Sequence, residues 1–161
     1  MSHASDFVEL LERGDVFYNI QGSSPEEALR AFAKVVRAPK LLEKKALADA
    51  LVEREGLATT AIGEGFAIPH PRQRMLQDEA LAFIAVGYLD SPIPWNSPDG
   101  KPVSLIFLVV SANSENHLSA LSKIASLAGD QKFREFMAKK PEKSKLIEYL
   151  RTAAPRSPSS A

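Results

Sequence analysis

Apolar residues recur along this chain with three successive patterns: helical spacing first, then continuous buried runs, then helical spacing again. Phe7, Leu10 and Leu11 share one side of a short helix that Asp6 would cap and Gly14 would end. Val16–Ile20 is β-branched and aromatic and reads as a strand. After a turn at Gln21-Gly22-Ser23, Ser24-Pro25-Glu26-Glu27 carries a helix start: a capping hydroxyl, proline at the first position, and acids at the positive dipole end. Ala28, Leu29, Phe32, Val35 and Val36 form its stripe, and Pro39 ends the run. A third helix is predicted over residues 41–55, with Leu42, Ala46, Leu47, Ala50 and Leu51 inward and Gly56 as its stop.

Beyond residue 56 the period changes. Residues 58–62 read as a strand entering the loop GEGFAIPHPR, and residues 80–88 are apolar enough for a central strand buried on both faces. Residues 89–101 hold Pro92, Pro94 and Pro98 and an Asp99-Gly100 turn signal, which marks an edge excursion or a hairpin. Val103–Val110 is a second buried strand. Ser114 is placed as the cap of the next helix, with Leu118, Leu121, Ile124, Ala125 and Ala128 on its inner side and Gly129 as its stop. Phe133, Phe136 and Met137 mark a short helix, and Leu146, Ile147 and Leu150 the last one. The expectation is a single α/β domain, a mixed β-sheet flanked by helices on both faces. It should span residues 6–152, between a flexible start (1–5) and a disordered tail (153–161).

Composition narrows the function. The 161 residues carry 20 Lys plus Arg against 20 Asp plus Glu. That balance opposes a general nucleic-acid binder, which needs excess positive charge to displace counterions from phosphates, and a polybasic membrane-surface protein. Cysteine is absent, which removes disulfides, thiolate catalysis and cysteine-ligated metals. The start has no apolar run suited to a secretory leader. The longest apolar run, residues 105–110, is far too short to insert in a membrane. A soluble cytoplasmic protein is expected.

His70 stands between Pro69 and Pro71. A residue before proline is pushed out of the α region, and proline fixes its own backbone, so the imidazole projects from a stiff, extended rib. Upstream, Gly63 and Gly65 would allow a tight loop around an anion. One nucleophilic ring on a rigid loop suits a phosphoryl or acyl acceptor, and equally a proline-stiffened turn with an incidental histidine. His117 falls in the first turn of the helix that follows a buried strand, where ligands of α/β sheets collect. The positive dipole end there disfavours imidazolium, and a neutral ring can donate to an oxyanion. An ordinary polar residue in a first turn would look the same. The two histidines fall short of the three or four ligands zinc takes. The chain lacks a Walker loop, a dinucleotide glycine fingerprint and a G-x-S-x-G elbow.

The string Gly63-Glu64-Gly65-Phe66-Ala67-Ile68-Pro69-His70 resembles the phosphorylation-site signature of the fructose/mannitol/nitrogen-type enzyme IIA domains of the bacterial phosphoenolpyruvate-dependent phosphotransferase system. Arg54 is similar to the family's arginine near the end of the preceding helix, and His117 to its second active-site histidine. The resemblance runs from about residue 6 to 150 and is nearer to the standalone nitrogen-regulatory branch, whose openings resemble Gly14 to Tyr18 and Ser24 to Glu27. It implies that His70 accepts a phosphoryl group from an HPr-like carrier while His117 and Arg54 bind the phosphate; no metal and no cofactor are expected. Further implied partners are a IIB domain, a transporter or a sensor kinase. Pro71 departs from the glycine common after the family's histidine, and removes an N–H that could meet the phosphate.

Three roles fit these residues: a regulatory phosphoprotein, a sugar-uptake relay to a IIB domain, and a binding module that is never phosphorylated. Glu64 could orient a ring or a partner, or be merely solvated. Phe66 and Ile68 are candidate docking residues. Trp95 is another docking candidate, although a lone tryptophan in a proline-rich segment is more often a lid over the core.

Overall fold

The computed structural model describes residues 3–40 and 42–153. Most of the expected flexible start and tail lies outside them; His3 to Ser5 and Ala153 belong to helix ends. The elements run α1 (His3–Gly14), β1 (Val16–Ile20), α2 (Pro25–Val35), α3 (Lys44–Leu57), β2 (Ala61–Gly63), β3 (Phe66–Ala67), β4 (Phe83–Ile93), β5 (Val103–Val110), α4 (Ser114–Ala128), α5 (Gln131–Met137) and α6 (Lys143–Ala153). A short 3-10 turn, Glu79–Leu81, precedes β4.

One five-stranded sheet has the order β1-β4-β5-β3-β2. β4 pairs antiparallel with β5 and parallel with β1, and β3 pairs parallel with β5, so the sheet is mixed. The strand period of two sends alternate residues to opposite faces. Phe83, Ala85, Ile106 and Leu108 pack under α2 and α3 with Phe32, Leu47 and Leu51. Ile84, Val86, Phe107 and Val109 pack against α1, α4, α5 and α6 with Leu11, Ile124, Phe133 and Leu146. Two cores therefore share one sheet, which explains why β4 and β5 read as unbroken apolar runs. Trp95 is 2% exposed and belongs to the first core.

Local chemistry shaped the ends as expected in some places and not in others. The Ser24 hydroxyl accepts from the Glu27 N–H at 3.2 Å, capping α2. α1 begins before Asp6, which lies inside it rather than capping it. α3 begins at Lys44 and runs through Gly56, because nothing there forces the left-handed turn that stops a helix. Ala48, not Ala46 or Ala50, joins Leu47 and Leu51 as fully buried. The cap of α4 is Asn113, whose side chain accepts from the Asn116 N–H at 3.0 Å; Ser114 is the first helical residue. Val35, Leu118 and Ala125 face solvent, since the sheet covers a narrower stripe of their helices than spacing alone suggests. Among the described residues no helix is long and apolar enough to cross a membrane.

Candidate active site

The signature string runs from the end of β2 through a tight turn into the two-residue strand β3 and an extended segment that follows β5. The Gly65 carbonyl accepts from the Ser104 and Leu105 N–H groups at the start of β5. Further on, the Pro69 carbonyl accepts from the Val109 N–H at its end. Gly63, Glu64 and Gly65 all have positive φ (97, 59 and 84°) and build the tight β2–β3 turn. That turn is tied to Asp99, whose carboxylate accepts from the Glu64 N–H at 2.8 Å, and Glu64 faces Lys101 and Arg134. The glycines are thus at the opposite end of β3 from His70, and the expected anion loop is a hairpin. Phe66 and Ile68 are buried at 4% and 8% exposure, so they are core residues and not a docking surface.

His70 arrives where β5 ends and the chain turns into α4. Its Nδ1 lies 2.8 Å from the Ile68 carbonyl oxygen. A carbonyl can only accept, so Nδ1 carries the proton and the neutral ring leaves its lone pair on Nε2. The His117 ring lies beside it in edge-on contact, with centroids 4.9 Å apart and planes at 65°. The His117 N–H bonds to the Asn113 carbonyl at 2.9 Å in the first turn of α4. Both rings are half-buried.

Burial is the main cause that holds the His70 pKa below the ordinary histidine value. The Ile68 carbonyl bond opposes it, the positive charge of Arg54 adds to it, and Glu55 opposes it more weakly. Burial, then the neighbouring His70, lowers the His117 pKa against the pull of Glu79. Both rings are thereby kept neutral at pH 7. Arg54, in the last turn of α3, donates through Nη1 to the Ala58 carbonyl at 2.7 Å. The structure therefore brings together all three residues singled out in the sequence, from three separate segments.

Two carboxylates brace this arrangement, and neither was marked in the sequence. Glu55 accepts from the Thr60 N–H (2.9 Å), the Thr60 hydroxyl (2.6 Å) and the Trp95 indole (2.9 Å), which fastens the end of α3 beside Arg54. Glu79 accepts from the Ser111 hydroxyl (2.9 Å), the Ala112 N–H (2.7 Å) and the Asn116 amide (3.2 Å), which fixes the β5–α4 loop under His117. Glu55 could have been suspected from its place next to Arg54. Glu79 is more than thirty residues from its partners and has no local signal. A cleft of about 770 Å³ opens beside His117 between residues 71–74 and 111–118. No group of three or more metal-ligating side chains occurs among the described residues.

This geometry sits in a chain with clear relatives. A nitrogen regulatory protein of Pseudomonas aeruginosa is 32% identical over 145 residues, 88% of this chain and 92% of that protein. Another, from Bradyrhizobium diazoefficiens, is 37% identical over 111 residues, 68% and 71% of the two chains. A fructose-specific EIIABC component of Bacillus subtilis is 29% identical over 145 residues, which are 88% of this chain but 22% of that longer protein. The crystal structure of nitrogen regulatory protein IIA-Ntr from Neisseria meningitidis superposes with a TM-score of 0.76 at 28% identity, covering 89% of this chain and 97% of that one. Residues 9–153 match the family described as phosphoenolpyruvate-dependent sugar phosphotransferase system, EIIA 2. The chain belongs to that family.

Proposed function

We propose that His70 accepts a phosphoryl group from the phosphohistidine of an HPr-like carrier, and that the chain acts mainly as a regulatory phosphoprotein in the cytoplasm. The observation that carries this reading is the Nδ1 bond to Ile68, which leaves the Nε2 lone pair free beside His117. Nε2 attacks phosphorus, the bond from phosphorus to the donor imidazole breaks, and that electron pair returns to the donor ring. The donor goes from phosphoimidazolium to neutral imidazole and His70 does the reverse, so no proton is gained or lost. Little covalent work falls to the protein, and positioning with charge stabilisation dominates. His117 donates to a phosphoryl oxygen, and the N–H groups of Arg54 not spent on Ala58 offer further donors.

The regulatory role is supported by the nitrogen regulatory proteins that align along most of the chain. On a chain whose formal charges cancel, one phosphoryl group of about −1.5 to −2 is a large local change. The targets such a switch would address are a transporter or a sensor kinase. A second reading, relay to a IIB domain, is supported by the fructose-specific relative.

The test is intact-mass measurement at alkaline pH after incubation with phosphoenolpyruvate, enzyme I and the carrier. One phosphoryl group is expected on the native chain and none on His70→Ala; label persisting on that variant overturns the assignment. His117→Ala should be labelled about tenfold more slowly or worse, as befits one lost charge-stabilising donor. Adding a IIB domain separates the two roles: a relay surrenders its label, while a switch keeps it.

A further inference from the structure

The segment just past His70 carries two arginines that nothing in the fold accounts for. Arg72 and Arg74 are exposed and line the cleft that His117 borders. Among the described residues, Arg30, Arg37, Arg134 and Arg151 each face a carboxylate. Arg13 is spent inside the α1–β4 contact, where its Nε donates to the Ala82 carbonyl. Apart from Arg13, the arginines left outside any ion pair among the described residues are Arg54, Arg72 and Arg74; Arg54 acts on His70 through its charge, and Arg72 and Arg74 share a cleft with His117. Arg74 makes only a long bond, 3.4 Å, to the Ala112 carbonyl across the cleft. Pro71 stiffens the backbone between His70 and this wall. Glu115 also lines this cleft, and Glu43 and Glu53 share a second one with Arg72 and Arg74, but none of them is ion-paired with either arginine. Two neutral rings with three guanidinium groups outside any ion pair are complementary to a dianion.

We propose that Arg72 and Arg74 bind the phosphoryl group carried by His70, closing the cleft over it from the side opposite His117. They speed its arrival and prolong its stay, and they do for this chain what an N–H after His70 cannot do in the presence of Pro71. The inference rests on His70 being the acceptor.

Phosphoramidate tests it, because it is a phosphoryl donor with no protein surface. His70 Nε2 forms the new bond to phosphorus, the P–N bond of phosphoramidate breaks, and ammonia leaves with the electron pair. The double variant Arg72→Ala/Arg74→Ala is expected to be labelled by phosphoramidate about tenfold more slowly, the scale of losing a hydrogen bond to a charged group. Its phosphohistidine should hydrolyse faster and show a displaced phosphorus-31 resonance. Arg72→Lys/Arg74→Lys keeps the charge without the planar fork and should recover part of the rate. Labelling by phosphoramidate at the native rate with an unmoved resonance overturns the proposal. So does a loss confined to labelling by the HPr-like carrier, which would make the arginines a docking surface. A native chain that takes no label from either donor, with its fold intact, removes the His70 assignment itself and this proposal with it.

Discussion

A histidine held between two prolines and bonded through Nδ1 to its own chain has one nitrogen left to react. The Ile68 carbonyl settles which one, and burial settles that it is unprotonated at neutral pH. The consequence for pH follows from the sign of the shift. Because the His70 pKa lies below the ordinary 6.5, Nε2 stays a nucleophile as pH falls through that value and is lost only in more acid solution. The labelling rate with phosphoramidate, measured across this range, should reach its half-maximum below pH 6.5; a midpoint at or above 6.5 would contradict the described environment. The same depression links to stability. The unfolded chain binds more protons than the folded one between the lowered pKa values of His70 and His117 and 6.5, so stability rises with pH across that window.

At the scale of elements, the site is a meeting of three ends: the last turn of α3, the continuation of β3 and the first turn of α4. The last of these depends on one amide. Asn113→Ala should cost about 1 kcal/mol in denaturant unfolding, and Ser114→Ala a few tenths, because only Asn113 satisfies an open N–H of α4. Glu79→Ala strands three donors and should cost about 2 kcal/mol while slowing labelling, since the loop beneath His117 loses its anchor. What could be read from the sequence divides along the same line. β1, β5 and the start of α2 were legible because their signals are local: β-branched runs, a proline, a capping serine. The three candidate residues were singled out by the resemblance of the string around His70, of Arg54 and of His117 to one family, and the structure sets the two histidine rings in contact. The place of the Gly63–Gly65 turn was not, because positive φ serves a hairpin as well as an anion cradle, and pairing with β5 decides between them. Nor was the outward face of Leu118, which depends on how much of α4 the sheet can cover.

The molecule as a whole is one sheet with a core on each side and the candidate site at one end. That shape leaves little room between α1 and the strands. A Cβ added to Gly14 would lie 1.8 Å from the Ile84 carbonyl oxygen, so the glycine that ends α1 is also what lets the helix sit against β4. Gly14→Ala should destabilise the fold by about 3 kcal/mol, seen as a lower urea midpoint with an unchanged slope. The site residues are untouched by it, so the fraction that remains folded should still take label. The bond between Trp95 and Glu55 has a use at this scale too. The chain holds a single tryptophan, and its indole is fastened to the residue next to Arg54. Light emitted by this protein under excitation of tryptophan therefore comes from one seam, where the end of α3 meets the segment after β4. The fold carries its own optical gauge of whether that corner is shut.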